Sequence, residues 1–326
     1  MQRSGVSAVG QVLMAAGLNR GSAGSDVEPT NDDPAPFARR ADVVAFNDAL
    51  LRSFGWAWDS IPDRAPPETP DRRGLVTRGR DLVNSELTGP EAWFFADPRL
   101  CLVLPVWRRI LQDRFVTVVP WRPMEEVAWS LHLREQLPLA LCFVLAAAYH
   151  RHLAAGLRGL PVIAVDYAAL TERPGDVVPA LLAALRAAGV RGEFDEARGV
   201  DAVDLSLRRA TQPRDLTLDV FISRETLALM AGWPKGEVQL IRRFNHKPND
   251  PAAWESSMLE MQRRLRTVLH DRAMVQRELA ELKAKFDRLG RAAAERSSIA
   301  VSGDADPDRA AAETDDPAEQ PVPVHR

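Results

Sequence analysis

The sequence contains little of what disulfide scaffolds and metal sites require. Only two cysteines occur among 326 residues, Cys101 and Cys142, and both lie in apolar runs. In such surroundings a cysteine behaves as a small buried hydrophobe, so we expect neither a disulfide nor a metal pair. The six histidines do not cluster, and no metal-ligand spacing or Ser-His-Asp order stands out. We therefore expect a reducing, cytoplasmic location and no bound metal.

Long apolar runs and an excess of one charge are also missing. No run of about 18 apolar residues stands out, so we expect no membrane span. The apolar stretch 12–16 is too short for a signal peptide. With 42 basic and 45 acidic residues, the net charge is −3, which gives no indication of a nucleic-acid partner. The length predicts one main domain with an accessory segment.

Short apolar runs alternate with helical patterns over the first two thirds of the chain. Three runs rich in strand-forming residues predict β-strands at 93–95, 115–119 and 162–165. The pattern around them predicts helices over 41–54, 100–111, 124–134, 139–157 and 177–188. Strands that alternate with helices are typical of an α/β fold with a doubly wound parallel sheet.

From Asn249 onward the sequence changes to one long helical pattern. Asp250 before Pro251 is a helix-start signal. Apolar residues then recur at steps of four and three, interrupted only by Arg272: Trp254, Met258, Met261, Leu265, Val268, Val275, Leu279, Leu282, Phe286 and Leu289. This heptad repeat predicts a coiled coil, and we expect a homodimer through residues 252–296. The alternative is one long helix that lies on the surface of its own domain.

The last segment, 297–326, is rich in Ala, Asp and Pro and contains no aromatic residue. Such a composition cannot bury enough surface to offset the entropy lost on ordering, so we predict a disordered acidic tail. The predicted organisation is therefore a main domain at 1–248, a coiled-coil helix at 249–296 and this tail.

The chain opens with a glycine-containing turn that leads into a helical pattern. Arg3 supplies a positive charge there, and Ser4 and Ser7 supply hydroxyl donors around Gly5. Together with the N–H groups and dipole of a helix N-terminus, these residues form a physical anion site. The Gly-Lys-Ser/Thr sequence of a Walker loop is absent, which argues against an ordinary ATPase or GTPase.

A second anion site is predicted after the strand that ends at Val119. Arg122 follows this strand, and Ser130 lies eight residues later, two turns into the next helix, on the side of the helix start. Ligands of open α/β sheets gather at such strand ends, and the planar arginine fork suits a phosphate. The alternative is that Arg122 only caps the helix and Ser130 is a surface residue.

Both sites resemble those of the sulfotransferases that use 3′-phosphoadenosine 5′-phosphosulfate (PAPS). The segment 3–7, Arg-Ser-Gly-Val-Ser, resembles the family's 5′-phosphosulfate loop, with Val6 in place of threonine. Arg122 and Ser130 resemble its 3′-phosphate site, although proline stands one residue nearer to the arginine. Segments 97–101 and 167–170 resemble further family blocks, with Ala96 where the family has lysine, so the resemblance extends to about Arg209.

The resemblance implies a P-loop NTPase-like fold and sulfuryl transfer from PAPS to a hydroxyl, for instance of a sugar or glycan. It implies donor contacts by Arg3, Ser4, Gly5, Val6, Ser7, Arg122 and Ser130. In the family a strand leads directly into the loop, whereas this sequence starts at the loop, so we expect that strand upstream of Met1 or missing.

For catalysis, the resemblance offers Arg3 and Arg99 as cations. Arg99 could equally form a structural pair with Asp97. The family's base position falls in 37–40, which holds no carboxylate or histidine. Glu28, Asp32 and Asp33 lie nearby in the sequence, and of these we take Asp33 as the candidate base, with Asp32 as the alternative. The alternative function is a catalytically degenerate, sulfotransferase-like scaffold that assembles through its coiled coil.

Overall fold

The computed structural model describes residues 2–21, 40–63, 74–86, 92–204, 222–234 and 236–303. Within these ranges the chain forms a mixed α/β fold, and two units are recognised, 1–266 and 267–326. The predicted tail lies outside the described residues from 304 onward, and 297–303 continue the last helix.

A three-stranded sheet lies at the centre of the first unit. Its strands are β1 (Thr117–Trp121), β2 (Val162–Asp166) and β3 (Val238–Ile241), in the order β1-β2-β3. β1 and β2 are parallel, as predicted, whereas β3 is antiparallel to β2 and had not been predicted. Pro120 lies within β1, which accords with an edge position because proline cannot donate to a neighbouring strand.

The prediction of a strand at 93–95 is wrong. In the described residues, this segment is extended but forms only one isolated bridge, between Trp93 and Asn19. Asn19 receives a hydrogen bond from Phe94 N and donates one to Ala92 O. The segment's apolar residues are strand-forming, but a strand is defined by ladder pairing, and no described strand runs beside it.

Eleven helices lie in the described ranges, and the five predicted from the pattern are all present. They are α1 (Val6–Ala15), α2 (Ala41–Ser53), α3 (Leu75–Glu86), α4 (Leu100–Leu111), α5 (Met124–Glu135), α6 (Leu139–Leu157), α7 (Tyr167–Glu172), α8 (Pro174–Ala187), α9 (Glu196–Asp201), α10 (Arg224–Ala231) and α11 (Ala253–Gly303).

Helix α6 forms the centre of the larger apolar core. It is buried on nearly all sides, with α4 and α5 packed against it. Both cysteines lie buried in this core outside any disulfide, and burial raises the pKa of Cys142 to about 12. The prediction of buried cysteines is therefore confirmed. A second core joins α1, α8 and one face of β2.

One described helix, α6, is long and apolar enough to cross a membrane, which the sequence analysis had not expected. However, 83% of its most apolar window is buried inside the protein. Burial of this kind is typical of the central helix of a soluble domain.

Two buried histidines of α6 make the stability of this core dependent on pH. His150 Nδ1 donates to Ala146 O and His152 Nε2 to Pro62 O, each at 2.8 Å. Burial lowers the pKa of both side chains from 6.5 to about 4. The unfolded chain therefore binds more protons than the folded chain between these values, so stability increases with pH.

We predict that the free energy of unfolding is highest above about pH 6.5 and decreases as the pH falls toward 4, by up to about 3 kcal/mol for each histidine. Denaturant titrations at several pH values measure it. His152→Gln should flatten this dependence, whereas His270→Gln, on an exposed stretch of α11, should not. An unchanged pH dependence in His152→Gln would contradict the assignment.

Candidate functional site

The predicted first anion loop is a tight turn that leads directly into α1. Its backbone is left-handed at Arg3 (φ 62°) and at Gly5 (φ 100°), which is the N-cap residue. A Cβ at Gly5 would lie 2.4 Å from Cδ2 of Tyr167, so only glycine fits between the ring and α1. The first-turn N–H groups of any α-helix lack intrahelical partners. In α1 the N-cap residue is Gly5, which has no side chain that could accept from them. They are donors of the kind that bind anions.

The two predicted anion sites lie together in the structure. Arg3 Nε donates to Ser130 Oγ at 2.9 Å, although 127 residues separate them in the chain. Arg122 Nη1 donates to the backbone oxygen of Arg3 at 3.1 Å. The loop before α1, the end of β1 and the second turn of α5 therefore form one polar cluster.

Strand register explains the position of Arg122. β1 and β2 are parallel, and Trp121 is paired with Asp166 at their carboxyl ends. The next residue of each strand, Arg122 and Tyr167, therefore lie side by side. The Arg122 guanidinium carbon lies 5.0 Å from the centre of the Tyr167 ring, in a cation–π contact. Asp166 caps α7 by accepting from Ala169 N, which fixes the backbone that carries Tyr167.

Arg122 is buried and has an acidic neighbour. Its Nε donates to Oε2 of Glu126, in the first turn of α5, at 2.9 Å. This ion pair neutralises part of the charge that an anionic ligand would meet. Sequence reasoning missed both Glu126 and the structural role of Tyr167. The i,i+4 spacing of Arg122 and Glu126 was a usable signal, whereas the contact with Tyr167 depends on strand register.

Arg99, the second predicted catalytic cation, lies in a polar cluster between α2 and the start of α4. It pairs with Asp48 through Nε at 2.6 Å and with Asp97 through Nη1 at 3.2 Å. Burial lowers its pKa, but these carboxylates outweigh burial and raise it. Asp97 also accepts from Asn47 Nδ2 at 2.9 Å. Two carboxylates thus compensate the charge of Arg99, which favours its structural role.

Of the remaining predicted site residues, three lie at the start of α1 and one lies outside the described ranges. Ser4 is buried, while Val6 and Ser7 are half-buried at the start of α1. Asp33, the candidate base, lies outside the described residues. Within the described ranges, no group of three or more His, Cys, Asp or Glu side chains is arranged to hold a metal ion.

A cavity of about 650 Å³ adjoins the loop. One wall is α1, a second is the extended segment 92–97, and a third is the unpaired side of β1 with the residues that precede it. Ser4 and Val6 line the cavity. The Thr117 hydroxyl is buried there without a hydrogen-bond partner. The cavity thus lies between two extended segments and borders the turn that begins at Gln2.

Comparisons with protein-family models, with curated proteins and with solved structures found no match for this chain. A function therefore has to be inferred from the cluster around Arg3, Ser130 and Arg122 itself.

We predict that an extra strand can fill the cavity. A five-residue Val/Ile segment fused ahead of Met1 should raise the free energy of unfolding by roughly 2–5 kcal/mol, because its buried side chains outweigh its ordering entropy. Thermal and denaturant unfolding measure the gain. A matched extension with proline at alternate positions should not stabilise, since it lacks the N–H donors that pair with β1. Equal effects of the two extensions would contradict pairing with β1.

Proposed function

We propose that this chain is a PAPS-dependent sulfotransferase with a P-loop-like nucleotide site. The observation that carries the proposal is the 2.9 Å contact between Arg3 and Ser130. It joins the two segments that resemble the family's 5′-phosphosulfate loop and 3′-phosphate site. Such convergence of distant residues at the end of a parallel strand supports one ligand site, as in open α/β sheets.

In this proposal the two groups of residues bind different ends of the donor. The N–H groups at the start of α1, with Ser4, Ser7 and the Arg3 guanidinium, bind the 5′-phosphosulfate. Arg122 and Ser130 bind the 3′-phosphate. When the donor binds, the Arg3 guanidinium exchanges its hydrogen bond to Ser130 for one to the ligand. The Arg122 guanidinium then donates to both Glu126 and the 3′-phosphate. Tyr167 supports the Gly5 turn and the Arg122 guanidinium from one side.

The reaction is an in-line displacement at sulfur. The bond from sulfur to the bridging phosphate oxygen breaks as the bond to the acceptor hydroxyl oxygen forms, and adenosine 3′,5′-bisphosphate leaves. The acceptor proton passes to a base, for which Asp33 is the candidate, and Arg3 stabilises the charge that develops on the leaving oxygen. A sugar or glycan hydroxyl is the proposed acceptor class.

A second candidate function is a degenerate relative that acts as an assembly protein. Two features favour it: Glu126 already neutralises Arg122, and Asp48 and Asp97 neutralise Arg99. In this case the charges of one donor-binding arginine and of one catalytic cation are already compensated within the protein, and the coiled-coil helix carries the function. Measurements of nucleotide binding and of sulfuryl transfer distinguish the two candidate functions.

We predict that the protein binds adenosine 3′,5′-bisphosphate and that Arg122→Ala weakens binding by about 2 kcal/mol, roughly thirtyfold, as for a lost charged phosphate contact. Titration calorimetry measures the affinity. Arg134→Ala is the control, because Arg134 lies in the last turn of α5, the helix that follows Arg122, and also pairs with a glutamate, Glu135. Equal losses in both variants, or no binding by the wild type, would contradict the assignment.

We predict slow sulfuryl transfer to a sugar acceptor when PAPS is supplied. The hydroxyl missing at Val6, the lysine missing at Ala96 and the absent base near 37–40 each cost about a hundredfold or more. Asp33→Asn should remove the remaining rate without changing nucleotide affinity, whereas Asp32→Asn should retain it. Transfer of radiolabelled sulfate measures the rate. Nucleotide binding without any turnover would instead support the assembly protein.

A further inference from the structure

Helix α11 has two distinct faces in its first four turns. Glu255, Leu259 and Gln262 are buried, and Arg266 pairs with Asp59. These residues follow steps of four and three, so they form one stripe that docks on the first unit. Up to Arg266, the structure therefore agrees with the alternative stated for this segment, in which the helix lies on the surface of its own domain.

The docking stripe is anchored by a buried ion pair. Arg151 of α6 donates through Nη2 to Glu255 Oε2 at 2.6 Å. Ser223 and Thr226 donate their hydroxyls to Glu255 Oε1, each at 2.7 Å. Burial raises the pKa of Glu255, but these hydrogen bonds and the Arg151 charge outweigh it and lower the pKa. Glu255 therefore stays ionised, and the orientation of α11 about its axis is fixed at its start.

The heptad residues lie on a different side of the helix. With 3.6 residues per turn, the seam of Trp254, Met261 and Leu265 lies about 110° around the helix from the docking stripe. It remains exposed: the side chain of Met261 is 69% accessible and that of Val268 is 63% accessible. Further along, Val275, Leu279 and Leu282 are equally exposed. Of the seam, Met258 packs against the core of the first unit, whereas Trp254, Met261 and Leu265 remain exposed.

We infer that this seam pairs with the seam of a second copy of the chain as a parallel, in-register coiled coil. The charged residues that flank the seam are complementary between two copies of the chain. This indicates that a second copy binds the seam and that the two helices are parallel. In a parallel pair, Glu278 of one copy lies beside Lys283 of the other, twice by symmetry. Arg272, the polar interruption at an a position, faces Arg272 of the second copy in this arrangement, and Asp271 of the second copy lies beside each of them and compensates the charge.

The fully overlapping antiparallel arrangement is disfavoured by the same residues. It would bring Asp271 beside Glu278 of the second copy and Arg264 beside Lys285, so both border pairs would have like charges. Like-charge pairs destabilise helix contacts by amounts similar to the gain from opposite charges. These border pairs therefore favour the parallel orientation, in which the facing Arg272 side chains are each compensated by Asp271 of the other copy.

Analytical ultracentrifugation of the full chain tests the interface. We expect a dimer over a wide concentration range. Leu279→Lys should give a monomer of unchanged helix content, whereas Ala280→Lys, at the neighbouring exposed position outside the seam, should leave the dimer intact. A monomeric wild type, a larger oligomer, or equal effects of both variants would overturn the proposal.

Cysteine crosslinking tests the orientation. Leu282→Cys should form a disulfide between copies on oxidation, because position 282 faces itself only in the parallel dimer. The wild type is the control, since its own cysteines are buried. A Leu265→Cys chain mixed with a Leu282→Cys chain should give little crosslink between the two variants. Preferred crosslinking of 265 to 282 would show the antiparallel dimer and overturn the parallel assignment.

Discussion

Arg122 and Tyr167 meet because β1 and β2 pair in parallel with Trp121 opposite Asp166. The candidate site depends on this pairing. The Tyr167 ring lies against the Gly5 turn, and Arg122 holds the backbone of Arg3, so the start of α1 is positioned by two residues that follow neighbouring strands. Arg3 can then reach Ser130 on α5. A shift of register by one residue would separate the ring from the guanidinium and release the turn.

The site and the cavity beside it share the same elements. α1 forms one wall of the cavity and its N-terminus follows the Arg3 turn of the candidate site, while β1 leaves one side without a described strand partner. Thr117 is buried there without a hydrogen-bond partner, which is costly for a polar group. Because α1 and Ser4 line this space, its packing influences how firmly α1 and the Arg3 turn are held.

Helix α11 carries two stripes of residues, one that docks on the first unit and one that forms the exposed heptad seam. The Glu255 stripe fixes it to the first unit through a buried, fully hydrogen-bonded carboxylate, and the Met261 stripe stays exposed. Met258 of the seam packs on the first unit, but Trp254, Met261, Leu265 and Val268 are exposed, so pairing of two copies is compatible with the docking contact. A parallel pair would hold two copies of the candidate site in one assembly.

The sequence alone determined the features that depend on local pattern. The five predicted helices, the parallel strands β1 and β2, the buried cysteines and the heptad seam follow from periodicity and apolar runs. Tertiary structure decided the rest, because it depends on distant partners. The segment 93–95 has strand-forming residues but no described strand beside it, and β3 is too short to stand out. Likewise, Tyr167, the carboxylates around Arg99 and the docking stripe of α11 are defined by contacts between residues far apart in the chain, which local patterning does not encode.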